Sequence, residues 1–105
     1  MYIIDGKNKI ELRYAKTYLK RLIGFMFKKN INYCLCFPKC KSIHTFFMRN
    51  RIDVYMTDKN NIVLYKYKDF KKYRVILPKQ GVDKVFEFPV DKVNFEIGEK
   101  IKIED

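Results

Sequence analysis

The chain has 105 residues, of which 48% are apolar, and its 23 basic and 12 acidic side chains give a net charge of +11. This composition excludes an intrinsically disordered chain and favours one packed domain over residues 1–105. No apolar run approaches the about 18–20 residues of a membrane span, the first residues lack a signal-peptide pattern, and the three cysteines are too few for a disulfide scaffold, so we expect a cytoplasmic protein.

The N-terminal residues predict a β-hairpin followed by a helix. Apolar and polar residues alternate in Tyr2–Ile4 and Lys9–Arg13, on either side of an Asp5-Gly6 turn signal. The next apolar residues have helical spacing: Ala15, Tyr18, Leu19 and Leu22. We therefore expect a short amphipathic helix near residues 15–23, ended by Gly24.

The rest of the chain has the pattern of short strands separated by turn signals. The predicted strands are Tyr33–Phe37, Ile43–Met48, Ile52–Thr57, Ile62–Tyr67, Arg74–Leu77, Lys84–Phe88 and Lys100–Ile103. One helix among many short strands predicts a mainly β (α+β) fold, a small antiparallel β-barrel or sandwich. The order of elements shows no strand–helix–strand alternation, so no parallel sheet is expected.

Residues 34–58 have the least generic sequence in the chain. Together with Arg21-Leu22-Ile23-Gly24-Phe25-Met26, they resemble the motifs of the prokaryotic domain-of-unknown-function family 192. The matching positions are Ala15, Arg21, Gly24, Met26, Cys40, Ser42, Ile43, His44, Thr45, Phe46, Met48, Ile52, Asp53, Val54 and Asp58. Val85-Phe86-Glu87-Phe88-Pro89 is similar to the family's Leu-Glu-Leu-Pro strand, and Ile97-Gly98-Glu99-Lys100 to its closing turn.

The resemblance spans nearly the whole chain and implies a compact, β-rich fold. It implies no reaction, because the family has no established activity. The sequence departs from the family pattern at Phe25, where the family has Leu, and at Val90-Asp91, where a usual Gly is missing. We expect the turn at Val90-Asp91 to differ for this reason.

Cys34, Cys36, Cys40 and His44 form a C-x-C-x₃-C-x₃-H pattern, which offers the four donors of a tetrahedral zinc site. The spacing argues against zinc, because zinc ligands usually come in C-x₂-C pairs on a tight turn. Cys34 and Cys36 are two residues apart in a predicted strand, so they face one side and suit a core role. We expect no metal and no cofactor.

Cys40 and His44 also offer a thiol and a base, the groups that nucleophilic catalysis requires. Arg49 would lower the pKa of such a thiol, and Asp53 could orient the imidazole. No Gly-rich oxyanion turn adjoins Cys40, and the spacing matches no hydrolase signature. Whether the protein is an enzyme therefore stays open, and a structural hydrogen bond is the alternative role of His44.

A group of polar side chains lies in this otherwise apolar stretch and indicates a binding site. Its members are Ser42, His44, Thr45, Arg49 and Asp53, with Cys40 beside them. Hydroxyls together with guanidinium donors suit a small anion such as a carboxylate or a phosphate. The alternative is that these groups satisfy one another at strand ends. The first functional hypothesis is thus a binding module with a polar pocket or groove at residues 40–53.

The uneven charge leaves a third hypothesis, a nucleic-acid-binding module. Residues 1–80 carry 19 basic and 5 acidic side chains, whereas residues 81–105 carry 4 and 7. The stretch KYKDFKKYR at residues 66–74 also interleaves bases with aromatic rings, as single-strand binders do. Compositional bias explains the charge as well, because 18 of the 23 basic residues are Lys.

Overall fold

The fold is built from nine strands in the described part of the chain. A computed structural model describes residues 1–15, 32–40, 43–44, 51–70 and 75–105, with the backbone alone at positions 43, 44 and 75. The strands are β1 Tyr2–Asp5, β2 Asn8–Tyr14, β3 Tyr33–Pro38, β4 Ile43–His44, β5 Ile52–Thr57, β6 Val63–Phe70, β7 Val75–Ile76, β8 Lys84–Pro89 and β9 Lys102–Glu104. Seven of them form one sheet in the order β6-β5-β8-β3-β2-β1-β9, and β4 pairs with β7.

The predicted N-terminal hairpin is present and continues into a parallel pair. Strands β1 and β2 are antiparallel, and Gly6 adopts φ 60° in the turn between them. Strand β2 then runs parallel to β3, so this pair differs from the antiparallel arrangement predicted from the sequence. Parallel neighbours need a crossover of a dozen or more residues, and the sequence between Tyr14 and Tyr33 is long enough for one. Beyond Ala15, the predicted helix lies outside the described residues.

Strands β3, β8 and β5 form the centre of the sheet, and their side chains alternate between two apolar clusters. The inner cluster consists of Ile3, Leu12, Cys34, Cys36, Tyr55, Val63, Phe86, Phe88, Val93, Phe95 and Ile101. The outer cluster consists of Ala15, Leu35, Phe37, Ile52, Val54, Met56, Ile76, Val82 and Val85. Because both faces of the central strands are covered, these strands are nearly continuous apolar runs.

The two edges of the sheet meet at one end and curl it into a half-barrel around the inner cluster. Ile62, just before β6, forms an antiparallel bridge with Lys100, just before β9. Three backbone hydrogen bonds flank this bridge: Val63 N to Glu99 O at 2.9 Å, Gly98 N to Val63 O at 2.8 Å and Ile101 N to Asn61 O at 2.9 Å. We call residues 98–101 the closing segment. The predicted mainly β class is confirmed, as a curled half-barrel.

Most predicted strands agree with the observed ones to within a few residues. The largest differences are at β6, which extends to Phe70, and at β9, which begins at Lys102 because Lys100 forms the closing bridge instead. The predicted strand at residues 43–48 includes β4, and the predicted strand at residues 74–77 includes β7; these two strands pair with each other. Within the described ranges, no helix has the length and apolar character that crossing a bilayer would require.

Candidate functional site

The structure describes only part of the site predicted from the sequence. Ser42, Thr45 and Arg49 lie outside the described residues. His44 lies in β4, where it pairs with Val75 of β7. Cys40 and Asp53 are described with their side chains, and they lie in different surroundings.

Cys40 follows β3 and packs against the outer cluster. It is half-buried, and its backbone N–H donates to the carbonyl of Asp83 at 2.8 Å. This bond ties the end of β3 to the residue just before β8, so the backbone of Cys40 is fixed although it lies outside a strand. The first residue of the predicted site at residues 40–53 therefore lies at the outer face of the sheet.

Asp53 is fully buried on the opposite face. Its neighbours Ile52 and Val54 belong to the outer cluster, so the alternation of β5 turns Asp53 toward the inner face. Its carboxylate accepts the backbone N–H of Asp69 at 2.7 Å on Oδ1 and that of Asp91 at 2.9 Å on Oδ2. It also binds the ammonium of Lys68, with 2.7 Å between Oδ2 and Nζ. Its acceptor capacity is therefore largely used within the protein.

The Asp53 contacts hold two backbone positions in a left-handed conformation. Asp69 has φ 54° and Asp91 has φ 61°, and both donate their N–H groups to Asp53. Asp91 occupies the position at which the family pattern has a Gly. The residue type differs from the pattern, but the backbone has the left-handed conformation that suits Gly. Lys68 donates further to the carbonyl of Val93 at 3.0 Å. Asp53 thus joins β5, the end of β6 and the loop after β8.

Electrostatics favour the charged form of Lys68 in this network. Burial acts to lower the pKa of its ammonium, but the hydrogen bond to Asp53 and the nearby acidic groups of Tyr55 and Asp91 outweigh burial, and the pKa is raised. An open depression of about 400 Å³ lies above it, lined by Asp5, Asn8, Lys68 and residues 91–94. Charges of both signs line this depression, so it favours neither an anion nor a cation.

These placements separate Cys40 from Asp53. The thiol packs on the outer cluster, whereas the carboxylate lies on the inner face and is occupied by Lys68 and two backbone N–H groups. The structure therefore does not bring Cys40 and Asp53 together as two parts of a Cys-His-Asp unit. Of the predicted site residues, Cys40 and Asp53 therefore lie on different faces of one sheet.

The three thiols do not converge either. Cys34 and Cys36 belong to the inner cluster and Cys40 packs on the outer one. Burial raises the pKa of the Cys36 thiol to about 12 and that of Cys34 well above its ordinary value, so both are inert neutral groups. Among the described side chains, no group of three or more His, Cys, Asp or Glu residues is placed to hold a metal ion.

Glu87 is a candidate functional residue that the sequence reasoning did not select. It lies in the middle of β8, in register with Leu35 of β3 on one side and Val54 of β5 on the other. Only 3% of the residue is exposed, and its Oε1 has no hydrogen-bond partner in the described part of the chain. Burial raises the pKa of this carboxyl to about 8, so it is predominantly neutral at pH 7.

A signal for Glu87 is present in the sequence. In the stretch Lys84–Pro89 the charge at position 87 interrupts a run of Val and Phe, and it shares its face with Val85. In a strand that is buried on both faces, every position is a core position, so a carboxyl there must be paired or functional. The sequence predicts the strand at residues 84–88. It does not identify the neighbouring strands, so it does not show that both faces of this strand are covered.

Comparison with known proteins places the chain in a family. The family model described as "Uncharacterized ACR" (DUF192) matches residues 2–103. A UPF0127 protein of Thermococcus sibiricus is 35% identical over 113 residues, covering 96% of this chain and 73% of the relative. A UPF0127 protein of Pyrococcus horikoshii is 36% identical over 114 residues and covers 97% of both chains.

A solved structure supports the fold. The crystal structure of a protein of unknown function from Novosphingobium aromaticivorans superposes with a TM-score of 0.80 over 97% of this chain and 83% of that chain. Its sequence is 16% identical, so this likeness concerns the fold alone. The family match covers almost the whole chain, and with the two archaeal relatives it shows that this protein is a member of the uncharacterised DUF192 family.

Proposed function

We propose that this protein is a small-ligand-binding module, in which the buried carboxyl of Glu87 and the polar residues selected from the sequence at positions 40–49 contact the ligand. One observation supports the proposal: Glu87 is buried among apolar side chains, and its Oε1 has no partner in the described residues. An unsatisfied buried polar group costs about 1–3 kcal/mol. A purely structural domain would be more stable with an apolar residue there.

The neutral carboxyl of Glu87 suits ligand recognition. In its protonated form it offers one O–H donor and an acceptor oxygen in a dry environment, where a hydrogen bond is stronger than in water. Ser42, His44, Thr45 and Arg49, which were selected from the sequence, are the proposed polar contacts. Asp53 has a different role in this proposal, because from the inner face it fixes the strand β5 that borders Glu87.

The binding hypothesis is favoured over the enzyme hypothesis by the position of Asp53. Asp53 was the predicted group to orient the imidazole in a Cys40–His44 nucleophile, and it faces the other side of the sheet from Cys40. The nucleic-acid hypothesis rests on the net charge and on the interleaved bases and aromatic rings at residues 66–74, which are both features of the sequence alone. Among the described residues, the unpaired Oε1 of Glu87 supports the binding hypothesis.

The first test compares Glu87→Leu and Glu87→Gln with the wild-type protein by thermal unfolding at pH 7. If Glu87 is kept for a ligand, Glu87→Leu removes an unsatisfied polar group and raises Tm by several degrees, in line with about 1–3 kcal/mol. Glu87→Gln keeps a polar side chain of similar shape and shifts Tm less. A fall in Tm of several degrees in Glu87→Leu would show that the carboxyl stabilises the fold and would contradict the proposal.

The second test measures ligand-induced stabilisation. The probes are three hexyl compounds with different head groups, hexanoate, hexylamine and hexanol, added at millimolar concentration. A ligand that binds the native state raises Tm in proportion to the logarithm of its concentration over Kd. We expect at least one probe to raise the Tm of the wild-type protein and not that of Glu87→Leu. Failure of all three would overturn the proposed binding surface.

A further inference from the structure

We infer that the open depression above Lys68 is a second binding site, for a small zwitterion. The ligand places its ammonium group against the carboxylates of Asp5 and Asp91, and its carboxylate against the ammonium of Lys92. This inference goes beyond the proposed function, because the depression opens on the inner side of the sheet, whereas Glu87 lies on the outer face. It follows from the groups that line the depression, from the contacts that hold its wall and from the two signs of charge.

The part of the depression formed by Lys68 is fixed, and its charge is balanced. The volume of about 400 Å³ is enough for a small molecule. The ammonium of Lys68 lies 2.7 Å from the buried carboxylate of Asp53 and donates to the carbonyl of Val93 at 3.0 Å. The other groups around the depression must therefore recognise the ligand.

Two carboxylates at the depression remain available to an ammonium group. The side chain of Asp91 is 83% exposed, and its ion-pair partner Lys68 is 3.7 Å away and held by Asp53. Asp5 accepts the backbone N–H of Asn94 at 2.9 Å on Oδ2, and its Oδ1 has no hydrogen bond among the described residues. A cationic group in the depression would therefore find two acceptors that the described part of the protein does not saturate.

A cation and an amide at the same depression remain available to a carboxylate. Lys92 and Asn8 line it, and both are exposed. Within the described ranges, neither side chain takes part in a hydrogen bond or an ion pair. Lys92 directly follows Asp91 in the chain, so the lining has a positive group next to a negative one. A carboxylate accepts hydrogen bonds from both an ammonium and an amide.

Hydrogen bonds hold residues 91–94 in place before any ligand binds. The backbone N–H of Asp91 donates to Asp53 at 2.9 Å, and that of Asn94 donates to Asp5 at 2.9 Å. The side-chain oxygen of Asn94 also accepts the ammonium of Lys66 at 2.9 Å. Because this wall is already ordered, binding a ligand against it costs little conformational entropy.

The presence of both signs of charge decides the class of ligand. An ion of one sign would be attracted by one group in the lining and repelled by another, so its net gain is small. A zwitterion meets an opposite charge at each end and gains from both contacts. These groups are exposed to solvent, so each contact is weak, and we expect a millimolar Kd that rises with ionic strength.

The experiment titrates the full chain at pH 7 with three zwitterions of increasing length: glycine, β-alanine and 4-aminobutanoate. NMR follows the backbone amides of residues 91–94 and provides the Kd. The controls for each zwitterion are the two compounds that lack one of its charges, for example butanoate and butylamine for 4-aminobutanoate. We expect at least one zwitterion to shift these amides saturably. Its Kd should be lower than that of both controls by about fivefold, the factor that one exposed ion pair can contribute.

Three variants test the assignment of the charges. Asp91→Asn removes the carboxylate charge and keeps a residue that tolerates the left-handed conformation, and Lys92→Gln removes the ammonium. We expect each of them to raise the Kd of the zwitterion by about fivefold. Lys59→Gln is the matched control, because it removes the same charge from the turn between β5 and β6, outside the lining, and should leave the Kd unchanged.

The absence of a saturable shift with all three zwitterions would overturn the inference, and so would a single-charge control that binds as tightly as its zwitterion. Unchanged affinity in Asp91→Asn or in Lys92→Gln, or equal weakening in Lys59→Gln, has the same consequence. Loss of zwitterion binding in Glu87→Leu would show that there is no separate second site. Failure of this site leaves the proposed function intact, because the hexyl compounds test that function separately.

Discussion

Two buried carboxyl groups lie on opposite faces of this sheet and have opposite surroundings. Asp53 accepts two backbone N–H groups and the ammonium of Lys68. Glu87, also buried, has no partner for Oε1 in the described residues and has a pKa raised to about 8 by burial. Burial alone therefore does not define the role of an acid, because its hydrogen-bond partners decide whether it stabilises the fold or costs stability.

The raised pKa of Glu87 predicts a pH-dependent stability. An acid whose pKa is higher in the folded state binds more protons when folded, so stability falls as the pH rises from the unfolded value, near 4.5, to about 8. Between these values the unfolding free energy of the wild-type protein should decrease relative to Glu87→Gln by up to about 1.4 kcal/mol per pH unit. Denaturant unfolding of both proteins at pH 5 to 9 measures the difference. A constant difference over this range would contradict the assignment.

Removal of the Asp53 carboxylate should be strongly destabilising. In Asp53→Ala, two buried backbone donors and Lys68 lose their acceptor, and we expect a loss of at least about 2–3 kcal/mol in denaturant unfolding. The matched control is Arg51→Ala, which breaks the exposed pair with Asp69 at 3.0 Å and should cost less than about 1 kcal/mol. Equal losses in the two variants would show that the buried network is not what holds this edge of the sheet.

At the scale of elements, the loop after β8 is fixed by a residue in an unusual conformation. Asp91 has φ 61°, its side chain is largely exposed, and its ion pair with Lys68 spans 3.7 Å. A left-handed residue other than Gly carries a conformational cost. The loop is held by the hydrogen bond from the backbone N–H of residue 91 to the carboxylate of Asp53. Any residue except Pro at position 91 retains this bond.

Asp91→Gly should therefore raise the unfolding free energy by about 0.5–1 kcal/mol, because Gly adopts this φ without steric cost. Asp91→Ala is the comparison, since it keeps a β-carbon and loses the local polar side chain, and it should be less stable than the wild-type protein. Chemical denaturation of the three proteins provides the ranking. If Asp91→Gly is the least stable, the aspartate side chain contributes more than its exposed position indicates.

The strands also show which features of the fold the sequence pattern predicts. The strand at Ile52–Thr57 and the hairpin around Gly6 were predicted because alternation and turn residues are local signals. The parallel pairing of β2 with β3 was not, because alternation contains no information about the direction of a partner strand. For the same reason the sequence indicates the chemistry of Asp53 but not the face of the sheet on which it lies. Glu87 becomes a candidate only once the strands on both sides of it are known.

At the scale of the whole molecule, the closing segment joins the two edges of the sheet. Gly98 has φ 93° there, a conformation that L-residues rarely adopt, although a β-carbon would meet no atom within 4 Å. The cost of a side chain at this position is therefore conformational and not steric. The amides of Val63 and Ile101 donate to Glu99 and Asn61 across the closure.

Gly98→Ala should lower the unfolding free energy by about 1–2 kcal/mol and speed hydrogen exchange at the amides of Val63 and Ile101. Gly6→Ala is the matched control, because Gly6 also has a positive φ and open space around it but lies in the β1–β2 turn. It should destabilise the hairpin without selectively exposing the two closure amides. Unchanged exchange at Val63 and Ile101 in Gly98→Ala would show that the closure does not depend on this residue.

The position of β8 has a consequence for how the chain acquires its fold during synthesis. Residues 84–89 lie between β3 and β5, although β8 is one of the last strands to be made. Before they leave the ribosome, β1–β2–β3 and β5–β6 have no hydrogen bonds to each other, and the unpaired edges of β3 and β5 are exposed. A nascent chain of this protein therefore cannot complete its sheet step by step from the N-terminus. Its central strands remain vulnerable to aggregation until residue 89 has emerged.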